Sequence, residues 1–231
     1  KQKKEGWNDS ENHKDVIKWY ERARNGGHAF HSQQWQWWAA SLLELGQFEQ
    51  AIELLENLGA DQTALKITVM RRIIESRLDR IETVDPAERT RLVEKYRQLV
   101  HQETDKKRRR NERIWLAEVD ARLLLAAGDP EGTIEHLWLP YQRLREEGGS
   151  AGEKDLVPLM IQFGNAYIRT GDFAQADRYF LLATEKLGET DALNAVALIG
   201  RAQIRQAEAG GDQAALEFYR QAVQDYPATA S

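Results

Sequence analysis

The sequence predicts an all-α protein, an α-solenoid of antiparallel helix pairs, and three observations carry that expectation. Apolar residues recur at three- and four-residue spacing. One run is Leu65, Val69, Ile73, Ile74, Leu78 and Ile81; a second is Leu92, Val93, Tyr96, Leu99 and Val100; a third is Ile114, Ala117, Ala121, Leu124 and Leu125. Such spacing lays one apolar stripe along a helix. No six-residue stretch between turn residues alternates apolar and polar, as a half-buried strand would. Turns also recur, at Leu45-Gly46-Gln47, Val84-Asp85-Pro86, Gly128-Asp129-Pro130, Gly171-Asp172-Phe173 and Gly210-Gly211-Asp212. Counted at Gln47, Asp85, Asp129, Asp172 and Asp212, the intervals are 38, 44, 43 and 40. That period holds two helices of roughly 15–20 residues and a turn, and such a pair buries its apolar face only by stacking on neighbours.

The elements follow in order. Residues 1–30 hold Val16, Ile17, Trp19, Tyr20 and Ala23, the pattern of an N-terminal capping helix or partial repeat. Residues 31–60 form a first repeat, with Trp35, Trp38, Ala39 and Leu42 before the Gly46 turn and Phe48, Ala51, Leu55 and Leu58 after it. Residues 61–104 are a divergent helix pair, argued from spacing and the Asp85-Pro86 turn. Residues 105–149 are a divergent repeat with a basic start, where Ala121, Leu124, Gly128 and Asp129 fit and Pro140 does not. Residues 153–188 carry the fullest pattern: Met160, Phe163, Gly164 and Tyr167, then Gly171, Asp172 and Phe173, then Ala176, Phe180 and Ala183. Residues 189–228 keep Ala215, Tyr219, Ala222 and Pro227, with an extra residue in the turn. The whole is expected to be one continuous domain. At each turn Gly can end the first helix in the left-handed conformation, and Asp can cap the second. Pro86 and Pro130 suit a first helical turn.

These residues resemble tetratricopeptide repeats, whose pattern sets a large, a small and an aromatic residue on the first helix. Gly-Asp-aromatic follows, then Ala, aromatic and Ala on the second. The resemblance implies a right-handed superhelix, with small residues such as Gly164, Ala176 and Ala183 where helices approach closely. A period of about 41 exceeds that family's usual ~34, which predicts a long-repeat variant with helices longer by about a turn. The resemblance further implies that first helices line a concave groove for a peptide. By position the groove would be lined by Gln33, Gln36, Ala40 and Leu43, by Trp115, Glu118 and Arg122, and by Ile161, Asn165, Ile168 and Arg169. Asn165 stands where chaperone-binding members hold a peptide carboxylate, but the accompanying Lys is replaced by Ile161, which disfavours a full clamp.

Composition narrows the function classes. The absence of cysteine excludes a disulfide framework, a thiolate metal site and a cysteine nucleophile. No apolar run approaches the ~18–20 residues of a membrane span, Leu123 to Ala127 being among the longest. No secretory leader pattern is present, and a cytoplasmic or a periplasmic setting fits equally. The chain begins with Lys1 rather than Met, which predicts a piece of a longer or processed protein, with any anchor upstream. The net charge of −5 averages a basic centre, +6 over residues 66–113, and acidic flanks, −3 over 1–65 and −8 over 114–231. Nucleic acid is therefore disfavoured as the main partner.

No residues are assigned to catalysis, a cofactor or a metal. There is no phosphate-binding loop, dinucleotide fingerprint or nucleophile elbow. His28 and His31 are close but lack further ligands. The run Lys106, Lys107, Arg108, Arg109 and Arg110 reads as a solvated helix start or an acidic-partner patch, and no aromatics interleave with it to stack bases. Five of the seven Trp, Trp7, Trp19, Trp35, Trp37 and Trp38, lie in the first 38 residues. They read as an aromatic core for the end of the array or as a docking surface. The expected function is a non-catalytic scaffold that binds a peptide or protein through its concave first-helix face. The alternatives are a structural or dimerisation module of a larger, membrane-anchored bacterial-type protein, or a regulatory sensor whose basic patch meets an acidic partner or nucleic acid.

Overall fold

The computed structural model describes residues 9–56, 58–59, 62–78, 85–187, 192–208 and 211–226. Trp7, Ile81 and Pro227 lie outside them. The described residues are helical with no strand, and the chain divides into two compact units, Lys1–Asp105 and Lys106–Ser231.

The first unit contains α1 (Asp9–Asn25), α2 (Ser32–Glu44), α3 (Phe48–Glu56), α4 (Thr63–Leu78) and α5 (Pro86–Gln102). Each packs on its neighbour, and α2 also packs on α4. Gly46 adopts φ 69° between α2 and α3, a left-handed turn that costs glycine nothing. Asp85 Oδ1 accepts a hydrogen bond from the Ala87 amide at 3.1 Å, so α5 starts with a capped turn and Pro86 in its first position. Leu65, Ile67, Val69, Met70, Ile73, Ile74 and Leu78 of α4 are buried and point to most sides of the helix. Its divergence from the repeat pattern is thus that of a helix enclosed by neighbours.

The aromatic residues at the start of the chain form a cluster. Tyr20, Trp38 and Trp35 stack in parallel with centroids 5.5 and 5.6 Å apart, and the edge of Phe30 meets all three. This ties α1 and the 26–31 loop to α2. Trp19 and Trp37 stay largely exposed.

The second unit contains α6 (Lys106–Ala126), α7 (Pro130–Gly148), α8 (Val157–Thr170), α9 (Phe173–Lys186), α10 (Ala192–Ala207) and α11 (Asp212–Asp225). The pairs α6/α7, α8/α9 and α10/α11 are hairpins. Each first helix, α6, α8 or α10, also packs against the next, and α7 and α9 pack against the first helix that follows them. Gly128 and Gly171 take φ 80° and 81°, ending α6 and α8. Asp129 Oδ1 accepts from the Gly132 amide at 2.8 Å, and Asp172 Oδ1 from the Gln175 amide at 3.1 Å.

Two expectations are corrected. Gly211 has φ −79° and Asp212 is itself the first residue of α11, so Asp212 does not cap that helix and Gly211 is not left-handed; Gly210 lies outside the described residues. Nor are the helices uniformly lengthened. The best-matching pair, α8 and α9, has 14 residues in each helix, against 21 and 19 in α6 and α7. Part of the surplus lies in the connection before α8, where two short 3-10 turns, Ser150–Gly152 and Lys154–Leu156, intervene. Pro140 leaves α7 unbroken although it removes one amide donor.

Phe180 is the wedge of this unit. Its ring is fully buried and lies over Gly164 of α8 and Gly200 of α10. A methyl group on Gly164 would sit 2.5 Å from the ring's Cζ, and one on Gly200 would meet the same atom. Around it Phe163 stacks on Tyr179 at 4.7 Å, and Tyr167 stacks on Tyr179 at 5.7 Å.

Gly164→Ala should lower the thermal midpoint, because overpacking costs about 1–3 kcal/mol against roughly 1 kcal/mol of gained helix propensity. The loss should shrink when Phe180→Leu is combined with it; a full, additive loss would place the strain elsewhere. Tyr179 supplies a pH test. Burial, then Tyr167 and Tyr141 beside it, pushes its hydroxyl up to about 12. The unfolded chain ionises tyrosine near ~10, so this stability is complete below that pH and is lost as pH climbs through the folded value. Denaturant melts of Tyr179→Phe should lose less stability between pH 9 and about 12 than the parent chain does. Parallel losses would refute the assignment.

Candidate functional site

The predicted surface residues fall in both units, and each set stands by itself. On α2, Gln33 and Gln36 are exposed, and Ala40 and Leu43 are half-buried. Trp37, which the repeat pattern does not assign, belongs to the same helical face and is 55% exposed. The signal was available: 33, 36, 37, 40 and 44 share the solvent side of a helix whose opposite side carries Trp38, Ala39 and Leu42.

In the second unit α6 lies against α8. Arg122 is exposed on α6, and Asn165 and Arg169 lie one turn apart on α8. The Arg169 guanidinium donates to the Leu125 carbonyl near the end of α6, one turn beyond Arg122; that carbonyl also accepts from the Gly128 amide at 3.1 Å. Arg169 therefore has a structural task as well as a surface position. Asn165 is half-buried, and its amide reaches Gln162 Oε1 only at 3.5 Å, a marginal hydrogen bond that leaves the amide free to turn to another acceptor. Ile161 is 3% exposed inside the apolar cluster with Phe163 and Phe180, and Trp115 is buried as well. Position on the repeat put both on the surface; packing takes them into the interior. Arg122 and Arg169 remain exposed, and Asn165 is half-buried, as are Glu118 and Ile168 of the same expected surface.

The basic run divides in the same way. Lys106, Lys107 and Arg108 are exposed at the start of α6. The Arg110 side chain is only 11% exposed. Its Nη1 meets Asp155 Oδ2 at 2.6 Å, Nε and Nη2 donate to the Leu144 carbonyl at 3.3 and 3.2 Å, and Nη2 donates to the Gly152 carbonyl at 3.0 Å. Arg110 thus ties the end of α7 and the 3-10 turns to α6. The sequence held this signal too, because Arg110 lies four residues before Ile114 on the stripe of Ile114, Ala117 and Ala121. Nearby, Glu153 bridges Lys186 at 2.7 Å and Arg145 at 3.1 Å. Those partners, Lys186 first, hold its carboxyl below the usual range.

Among the described residues no group of three or more His, Asp or Glu could hold a metal ion, and no helix is long and apolar enough to cross a membrane. His28 packs its ring on Phe30, and the His31 amide donates to Gln34 Oε1 at the start of α2.

Residues 157–185 match the tetratricopeptide repeat family. No curated protein and no solved structure matches the chain.

Arg110→Ala should cost about 2–4 kcal/mol, since it strips two main-chain carbonyls and a carboxylate of a buried cation. Lys106→Ala and Lys107→Ala should stay within about 0.5 kcal/mol. Chemical denaturation of the three variants separates the two roles, and equal effects would contradict the division.

Proposed function

We propose, from the tetratricopeptide repeat at residues 157–185, that this chain is a scaffold whose first helices bind a peptide or protein partner on their solvent-facing, concave side. The observation that carries the reading is the seam of α6 and α8. There Arg122 and Asn165 reach solvent while Ile161 beside them is locked in the core. Polar groups held on packed helices lose little freedom when a partner arrives, which is the condition for recognition by a preformed surface. A guanidinium and a carboxamide on one strip suit the carbonyls and carboxylates of an extended peptide. The reading requires no chemical step. On the first unit the matching strip carries Gln33, Gln36 and Trp37, which offer amide hydrogen bonds and an aromatic anchor, and ends at the carboxylate of Glu44.

A second reading assigns an acidic partner to Lys106, Lys107 and Arg108. It is favoured by their exposure while Arg110 of the same run is drawn inward.

Affinity capture with the full chain, with bound proteins identified by mass spectrometry, tests both. Arg122→Ala with Asn165→Ala should weaken the principal partner at least tenfold, about 1.4 kcal/mol. Lys106→Glu with Lys107→Glu should leave it in place under the first reading and remove it under the second. A captured set indifferent to both pairs rejects both surfaces.

A further inference from the structure

A furrow walled by α7 and α9 runs over the side of α8 opposite Asn165. On α7, Ile134, Trp138, Tyr141 and Arg145 follow four–three–four spacing, and on α9, Gln175, Tyr179, Leu182 and Lys186 do the same. Such spacing keeps each set on one flank of its helix. The two flanks face each other, because their last members, Arg145 and Lys186, hold the same Glu153 carboxylate at 3.1 and 2.7 Å. Phe163 and Tyr167 of α8 lie between them. Trp138 and Tyr141 meet Phe163 edge-on at 6.4 and 5.6 Å, and Tyr179 stacks on both Phe163 and Tyr167. Asn165 is two residues past Phe163, about 200° round the helix, so this surface is separate from that of Arg122 and Asn165.

The polar tips of these rings are unused. A buried Tyr hydroxyl or Trp N–H normally finds a hydrogen-bond partner. Here the hydroxyls of Tyr141, Tyr167 and Tyr179 and the indole N–H of Trp138 make no hydrogen bond among the described residues. Tyr167 and Tyr141 lie near enough to raise the Tyr179 hydroxyl further above its ordinary value, which gathers the three hydroxyls on one stretch. Trp138 beside them is 50% exposed. From Ile134 to Tyr141 and from Gln175 to Leu182 the facing flanks carry no charged side chain. One end is closed by the Arg145–Glu153–Lys186 bridge, with Glu146 and Glu185 outside it. At the other end Glu131 and Glu135 are exposed and form no ion pair among the described residues, and Arg178 of α9 is exposed beside them.

We propose that this furrow binds an extended, proline-rich segment of a partner protein, with a basic residue of that segment at the Glu131–Glu135 end. A polyproline II chain has no internal hydrogen bonds, so its carbonyls accept from whatever donors it meets, and proline brings no N–H that needs an acceptor. A helical partner would arrive with its carbonyls already bonded and leave the hydroxyls unanswered. Proline rings pack against aromatic faces, as in other grooves that read such segments. From Ile134 to Tyr141 the wall is about 10 Å long, the rise of three to four polyproline residues at ~3.1 Å each. The rings are already fixed by their own stacking, so little freedom is lost on binding. Two carboxylates against one arginine favour a cation at the open end.

Indole nitrogen-15 spectra of the full chain test this, because each of the seven Trp gives one signal and Trp138→Phe identifies the reporter. An uncharged decaproline peptide should shift the Trp138 signal saturably, with a dissociation constant on the order of 0.1–1 mM. A glycine–serine peptide of equal length should leave it in place. Tyr167→Phe, alone or with Tyr179→Phe, keeps the ring stack and should weaken decaproline at least about threefold. A Lys-Lys extension of decaproline should bind at least about threefold more tightly than a Glu-Glu extension, and Glu131→Gln with Glu135→Gln should remove that difference while leaving plain decaproline unchanged. An unmoved Trp138 signal at about 5 mM decaproline overturns the inference. So does an equal response to the glycine–serine peptide, a shift confined to other indoles, or full affinity after loss of the hydroxyls. Equal binding of the two extended peptides overturns the basic end.

Discussion

The second unit depends on one close approach, the ring of Phe180 held between Gly164 and Gly200. Neither glycine carries a side chain, so the ring packs on bare helix backbone at both. The position of α10 on α8 and α9 follows from that contact.

Much of this was legible in the sequence because local chemistry and packing agree. Gly46, Gly128 and Gly171 take the left-handed turn that their spacing suggests, and Asp85, Asp129 and Asp172 cap the helices that follow. At residues 157–185 every level points the same way, and that segment is where the family likeness is found. The failures have a common cause. Helical position says which side of a helix a residue occupies, but not what lies against that side. Ile161 and Trp115 occupy groove positions and are nevertheless buried, because neighbouring helices close over them. Arg110 belongs by composition to a charged run and by periodicity to the core stripe, and periodicity decides. Asp212 failed as a cap because the inserted residue moved the helix start onto it.

Charge in this chain organises joints more than it decorates surfaces. Arg201 with Asp177, Arg169 with the end of α6, Glu153 between Lys186 and Arg145, and Arg110 with Asp155 all sit where one helix hands over to the next. Each joins residues from different elements, so the pairs orient helices that apolar contact alone would leave free to slide.

The clasp of Arg110 bears on how the unit comes apart. Stacked arrays are held by contacts between near neighbours, and local opening can begin at any pair and stop at the next boundary. Arg110 reaches carbonyls and a carboxylate 34, 42 and 45 residues away, across the α7 end and the connection to α8. Opening that connection exposes a guanidinium and two carbonyls together, so a single arginine couples the first two hairpins of the unit into one opening event.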